Sequence, residues 1–315
     1  MGNTAVCKPS ELTPQTAYLL GEVLTEAGIP PGVCNIVFGR GAQAGRALVQ
    51  HPDVPLISFT GGTQTARGLI EDAAPFYKKL GLELGGKNPT LVFEDADIEA
   101  CIPTILRSSF ANQGEICLCG SRIFVQESVY EKFLALFTKA TQQLCVGNPA
   151  DPATFMGALI SESHRHKVES FIGEAHQLGG TVVTGGTRSS LDAPFDKGYF
   201  LSPTILTGLD PQCRVMQEEI FRPVVTITAF HDEAEAVQLA NDVRYGLSAS
   251  LWSQNVSRCH RVAHALDVST VWVNTWLKRD LQVPFGGMKA SGLGREGGIY
   301  SLNFYSEQKN ICVQL

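Results

Sequence analysis

Two short stretches of the chain hold residue types that can make and break covalent bonds. Cys117 stands in NQGEICLCGSR (112–122), between a run with helical periodicity and the strand-like SRIFVQ. A thiol placed there can lie near exposed backbone N–H groups, and a helix end or a nearby cation depresses thiol pKa and raises the nucleophilic thiolate fraction. Cysteine is also among the most buried residue types, so its chemistry alone does not single out one thiol among nine. Glu83 stands in LGLELGGKNP, between an apolar stretch and a Gly-Gly turn. Partial desolvation there would raise its pKa toward values useful to a general base; a carboxylate merely hydrogen-bonded in a turn is the other reading. Gly39, Gly41, Gly61 and Gly62 follow β-type runs where a helix would begin. Such turns can cradle phosphate, because a helix start offers free N–H groups and a positive dipole end. Neither cluster completes the GxGxxG fingerprint, and each glycine serves equally as a turn residue with positive φ. His164 and His166, two apart in a helical run, point in different directions and cannot chelate one metal.

The elements that must position these residues follow from periodicity. Residues 1–85 read as βαβαβ: TAVCKP, a helix from about Thr13 to Ala27, CNIVFG, a second helix, and LISFTGG. From about Gly86 a second series begins with TLVFE, a helix near Ile98 to Asn112, SRIFVQ and a helix at Ser128 to Leu144, and continues with TVVTGG, PVVTITAF and TVWVN. The glycine-rich PFGGMKASGLGREGG (284–298) follows, and SLNFYSEQKNICVQL alternates as a final strand. No internal repeat interrupts this α/β pattern. The first strand starts at Thr4 with no element before it, so the chain reads as N-terminally truncated.

Composition narrows the function classes. At 315 residues, with 44% apolar and 18% charged residues, the chain can bury more than one core. The net charge of -6 is spread along the chain, which disfavours nucleic acid and other polyanions. Nine cysteines at irregular spacings without a CxxC pair argue against a disulfide framework and for a reducing, cytoplasmic setting. The sequence has neither a membrane-length apolar run nor a secretion signal. Val6 stands where a myristoylation pattern requires Ser or Thr, and the terminal Cys312-Val313-Gln314-Leu315 is read as ordinary strand rather than a prenylation box.

Six motifs, taken in order, carry a resemblance: KPSE (8–11), FTGGT (59–63), LELGGKNP (82–89), NQGEICLCGSR, EEIFRPV (218–224) and PFGGMKASGLGRE (284–296). Together they resemble the aldehyde dehydrogenase superfamily over essentially the whole chain. The resemblance implies an aldehyde dehydrogenase-like α/β fold, with a partial Rossmann-type NAD-binding domain at 1–85 and a catalytic domain at 86–285. Residues 286–315 would return to the cofactor domain and end in an oligomerisation strand, making a homo-oligomer. It also implies that Cys117 attacks the aldehyde carbon, that the resulting thiohemiacetal is oxidised to a thioester, and that Glu83 activates the hydrolytic water. Cys119 is left to packing or redox protection. Lys8 and Glu11 match positions at the adenosine ribose, Gly41 and Gly62 match turns near the adenine and pyrophosphate, and Glu219 with Phe221 match the nicotinamide-ribose side. A carboxylate at Glu11 would bond ribose hydroxyls and repel a 2'-phosphate, which favours NAD over NADP. FTGGTQTARG departs from the common pattern at Gly62, Gln64 and Ala66, which implies pyrophosphate contacts arranged differently. Arg279 and Phe285 fall in the region of the substrate mouth, where a guanidinium suits a carboxylate-bearing semialdehyde.

The same family places an asparagine that binds the oxyanion, and part of the dinucleotide sheet, upstream of KPSE. Loss of one oxyanion donor costs roughly 100- to 1,000-fold in rate. Two expectations therefore stand together: an NAD-dependent semialdehyde dehydrogenase, and a truncated, inactive chain that acts only by associating with full-length subunits.

Overall fold

The computed structural model describes residues 2–315. The chain forms two units, one made of the residues up to Glu83 with 281–285 and 293–315, the other of 84–280 with 286–292.

The first unit contains two βαβ turns. β1 (Ala5–Cys7), α1 (Gln15–Glu26) and β2 (Cys34–Ile36) form one, with Cys7 paired in parallel with Ile36. After α2 (Arg46–Gln50), the second consists of β3 (Leu56–Thr60), α3 (Thr63–Ala73) and β4 (Lys79–Glu83), with Thr60 opposite Glu83. Helix α3 buries Ala66, Leu69 and Ala73, one stripe at helical spacing. Helix α1 buries none of its residues, and every residue of β1 is exposed. The helix Gly298–Phe304 lays Phe304 against β4: a Cβ at Gly81 would come within 2.9 Å of that ring, so glycine there permits the contact.

The second unit is built on a seven-stranded sheet. In chain order its elements are β5 (Asn88–Val92), α4 (Ile98–Phe110), β6 (Gly120–Gln126), α5 (Glu127–Gln142), α6 (Glu162–Gln177), β7 (Thr181–Thr184), β8 (Thr204–Thr207), α7 (Arg214–Gln217), β9 (Val224–Phe230), α8 (Glu233–Asn241), β10 (Tyr245–Gly246), β11 (Ser248–Trp252), α9 (Val256–Ala265) and β12 (Thr270–Val273). The sheet order is β12-β11-β5-β6-β9-β8-β7, parallel except for β7 against β8. β10 stands apart, paired with β13 (Met288–Lys289). Alternate residues enter opposite cores: Leu91 and Phe124 join Phe171 and Phe230, whereas Val92, Ile123 and Val125 join Phe133 and Phe137. A sheet covered on both faces has strands that are apolar almost throughout, and all five residues of β5 are buried.

Asp97, Ser161, Asp232 and Asn255 accept backbone N–H groups at the starts of α4, α6, α8 and α9. The fully buried Arg122 closes the other end of α8, donating from Nη1 to the Leu239 carbonyl at 2.9 Å and from Nη2 to the Ala240 carbonyl at 2.8 Å. Its Nε bonds the Lys87 carbonyl at 2.9 Å, tying the start of β5 to β6.

The final segment differs from expectation. Residues 301–304 are helical, and residues 307–315 adopt no regular structure. The alternation of Ile311, Val313 and Leu315 is a strand pattern, but a strand needs a neighbour to receive its backbone bonds. No helix is long and apolar enough to cross a membrane among the described residues.

Candidate active site

Three neighbouring strands of the second unit bring their entry loops to one edge of the sheet. β5, β6 and β9 are adjacent and parallel, so Gly85 and Gly86 before β5, Cys117 before β6, and Glu219 and Phe221 before β9 converge. Gly86, Ile116, Cys117, Glu219, Phe221 and Arg222 line a cavity of about 320 Å³, counted with the solvent space at its mouth.

The nucleophile loop is held from two sides. Asn112, Gln113 and Gly114 carry φ of +50°, +57° and +71°, a left-handed turn that halts α4 and sends the chain toward β6. Gly114 is required twice, by its φ and because a Cβ would meet the Arg222 carbonyl at 2.4 Å. The Asn88 amide donates to the carbonyls of Cys117 and Cys119, at 2.7 and 2.9 Å, and its oxygen accepts the Ser248 N–H. The Trp276 indole N–H donates to the Leu118 carbonyl at 2.9 Å. These three bonds account for the carbonyls of residues 117–119, so the loop's backbone is fixed independently of the Cys117 side chain. Cys119 is buried, and burial pushes its thiol up to about 12.

Glu219 is positioned by the glycine turn. Gly86 N–H donates to its Oε1 at 3.1 Å, and a Cβ on Gly85 would lie 1.9 Å from its Oε2. Burial raises its carboxyl, opposed by that N–H and by Lys87, Lys167 and Arg244. Lys87 is itself pushed down to about 7 by burial and then by Arg122, with Glu219 partly countering.

Arg279 lies on the exposed loop after Trp276. That loop is pinned by the Trp272 indole N–H to the Lys278 carbonyl at 2.9 Å, and the Arg107 guanidinium stacks 5.5 Å from the Trp276 ring centre.

The sequence-derived residues of the first unit are placed as follows. Lys8 follows β1; its Nζ donates to the carbonyls of Gly39, at 3.1 Å, and Pro9, and lies 3.7 Å from Glu11 Oε2. The Glu11 carboxyl is held below its ordinary value by its own N–H, then by Lys8 and the Gly41 N–H. Lys8, Glu11 and Gly41 therefore form one group. Gly62 sits before α3, whose first N–H groups receive no side-chain cap, and the buried Thr63 Oγ1 has no partner. Cβ atoms at Gly41 and Gly62 would meet nothing within 4 Å. An uncapped helix start, an orphaned hydroxyl and open space over both glycines fit a bound dinucleotide phosphate. Glu83 closes β4 as a half-buried residue whose carbonyl accepts the Gly61 N–H at 3.0 Å. Phe285 pairs with Glu296 through two backbone bonds of 2.8 Å.

Sequence reasoning missed Asn88, Trp276, Arg107 and the ion pair in which Arg222 Nη1 lies 3.1 Å from Glu115 Oε1. Asn88 lies within the glutamate motif, Glu115 within the cysteine motif and Arg222 within EEIFRPV, so all three were in view; Trp276 and Arg107 act through contacts distant in sequence. Among the described residues, no group of three or more His, Cys, Asp or Glu is placed to hold a metal.

The aldehyde dehydrogenase family model matches residues 1–311. The chain is 55% identical to 2-aminomuconic semialdehyde dehydrogenase of Danio rerio, covering 99% of this chain and 65% of that protein. It is 49% identical to 5-carboxymethyl-2-hydroxymuconate semialdehyde dehydrogenase of Escherichia coli, covering 96% and 64%. Among solved structures, betaine aldehyde dehydrogenase of Staphylococcus aureus in complex with NAD+ superimposes with a TM-score of 0.93 at 41% identity, covering 96% of this chain and 60% of that one. The chain thus spans just under two thirds of the length of the relatives it matches.

Proposed function

Since the chain belongs to the aldehyde dehydrogenase family, we propose that it carries the thiol site of an NAD-dependent dehydrogenase for carboxylate-bearing semialdehydes. The observation that carries this reading is the convergence of Cys117, Glu219 and Phe221 on one cavity, with the cysteine loop held by Asn88 and Trp276. The Cys117 sulfur attacks the aldehyde carbon to form a thiohemiacetal whose oxyanion the Cys117 N–H stabilises. Bound NAD+ supplies the hydride acceptor. Glu83 takes a proton from the water that cleaves the thioester, releasing the carboxylic acid and restoring the thiol.

Lys8, Glu11, Gly41 and Gly62 would hold the adenosine and pyrophosphate portion, and Glu219 with Phe221 the nicotinamide-ribose portion. Glu11, already ionised beside Lys8, suits ribose hydroxyls and disfavours a 2'-phosphate, hence NAD. The named semialdehyde substrates of two relatives support the substrate class, with Arg279 as carboxylate clamp and Phe285 at the mouth. The protein would work in the cytoplasm as a homo-oligomer, residues 307–315 pairing with a neighbouring subunit's sheet.

A second reading is favoured by α1, which buries no residue and exposes Tyr18, Leu19, Leu20 and Val23. On it, the chain is inactive alone and acts only in association with full-length subunits. NADH formation by the purified chain with 2-aminomuconic semialdehyde, or a stable anionic analogue, beside Cys117→Ser, separates the two. The first reading expects turnover that disappears in the variant. A folded chain that produces no NADH alone, but does so with a full-length partner, sinks it in favour of the second.

A further inference from the structure

Two thiols of the first unit belong to none of the groups described above. β1 and β2 pair in parallel with Ala5 opposite Cys34 and Cys7 opposite Ile36, and the Val37 N–H extends that register by donating to the Cys7 carbonyl at 2.9 Å. Partnered residues of parallel strands share a face, as do residues two apart in one strand, so Ala5, Cys7, Cys34 and Ile36 project to one side. It is the side of α1: a Cβ at Gly21 would come 3.4 Å from Ile36 Cδ1. Cys7 is exposed and Cys34 half-buried, so solvent reaches the pair. The Cys7 thiol is pushed up by burial, then by the charge of Cys34 and a side-chain hydrogen bond with it. One thiolate is disfavoured there and two side by side more so, unless a cation lies between them.

The separation of the pair decides what can join it. Cys7 and Cys34 are diagonal neighbours, offset by two residues along the strands and one strand across. That places their Cα atoms about 8 Å apart, from about 6.6 Å along and about 4.8 Å across. A direct disulfide usually spans about 4.4–6.8 Å between Cα atoms, with its sulfurs about 2.05 Å apart. Two metal–sulfur bonds of about 2.3 Å let the sulfurs stand up to about 4.6 Å apart, which adds about 2.5 Å of reach and covers the diagonal. Thiolates select soft ions, Cu(I) and zinc among them. A structural zinc site takes four protein ligands, and among the described residues no third His, Cys, Asp or Glu joins this pair.

We propose that Cys7 and Cys34 form a two-coordinate site for a soft monovalent cation, Cu(I), bridging β1 and β2. Copper enters as Cu(I), so nothing is oxidised or reduced: two S–H bonds break, two Cu–S bonds form, and two protons pass to solvent. The site goes beyond the proposed activity and does not depend on it.

The test uses the full 315-residue chain, loaded anaerobically with one equivalent of Cu(I) and challenged with bicinchoninate, whose Cu(I) complex is coloured. The wild-type chain is expected to keep its copper. Cys7→Ser and Cys34→Ser are each expected to surrender it, and the double variant to do no worse than either alone. Cys117→Ser and Cys145→Ser are expected to keep it. Alkylation by iodoacetamide, read by mass spectrometry, is expected to show Cys7 and Cys34 protected together by copper while exposed Cys145 still reacts. Zn2+ at the same ratio is expected to protect neither. Copper surrendered by the wild-type chain, kept by either single variant, or lost in Cys117→Ser overturns the proposal, and protection by zinc equal to that by copper overturns its two-coordinate character. If a serine variant does not fold, as judged by circular dichroism, alkylation of the wild-type chain decides: copper that leaves Cys7 or Cys34 reactive overturns the site.

Discussion

The two units of this chain are built from the same βαβ grammar but differ in what covers their strands. In the second unit β5 and β11 are buried at every residue, and aromatic groups fill both faces of the sheet. In the first unit β1 is exposed at every residue and α1 buries nothing. Sheet stability comes from covering apolar faces rather than from the backbone ladder, so the same local pattern gives a rigid frame in one unit and an uncovered one in the other.

The largest expected effect follows from that contrast. Phe137 is fully buried, stacked 5.4 Å from Phe133 and 6.1 Å from Phe110. Phe137→Ala is expected to destabilise the second unit by about 3–5 kcal/mol, the cost of deleting a core aromatic. Tyr18→Ala on α1, where the residue is 57% exposed, is expected to stay within about 0.5 kcal/mol. Urea unfolding of both variants checks this; similar losses would mean that α1 is packed in solution after all.

The contrast also explains what the sequence did and did not disclose. Strands and helices were legible in both halves because a hydrophobic period is local: the helix read as Ile98 to Asn112 spans Ile98–Phe110, and that read as Ser128 to Leu144 spans Glu127–Gln142. Burial was not legible. TAVCKP and TLVFE look alike as strings, yet one strand lies open and the other inside a double-faced sheet. The terminal SLNFYSEQKNICVQL misled for a related reason, since alternation shows that a segment can be a strand without supplying an edge to join. At the site, the motif singled out Cys117 as the candidate, and the structure adds a physical contrast with Cys119, which burial keeps protonated. The tether from Trp276 was hidden because only the fold brings it to the cysteine loop, and Arg222, although it stands within EEIFRPV, gains its place at the cavity only from the fold.

Glycines sharpen the comparison at smaller scale. Gly85 faces the Glu219 carboxylate so closely that a Cβ would sit 1.9 Å from Oε2. Gly85→Ala must displace that carboxylate from the Gly86 N–H, for an expected loss of about 1–3 kcal/mol. Gly62, with nothing within 4 Å of a Cβ and φ of -75°, accepts alanine at a cost of no more than about 0.5 kcal/mol. The two variants also separate functionally: Gly62→Ala places a methyl where a dinucleotide phosphate would approach, so it should weaken NAD binding without lowering the unfolding midpoint. Equal destabilisation by the two substitutions would remove the distinction between a glycine demanded by packing and one left open for a ligand.

An effect spread over two pH units concerns protons. Every Lys and Arg of the first unit is at least partly exposed, whereas Lys87 in the second is 1% exposed and pushed down to about 7 by burial and by Arg122. In the unfolded chain a lysine keeps its proton to about pH 10.4, so between the two values the unfolded state binds more protons and stability rises with pH. Below pH 7 the folded chain holds a charged, buried ammonium and lacks this contribution. Glu219, a carboxyl raised by burial, acts in the opposite sense where it titrates. From pH 7 to 9 the second unit is expected to gain about 1–3 kcal/mol from Lys87, and Lys87→Met, which cannot titrate, should lose that slope. Urea midpoints at pH 7, 8 and 9 for both proteins make the comparison. Parallel slopes would show that the ammonium remains charged inside the fold, stabilised by Glu219 more strongly than burial opposes it.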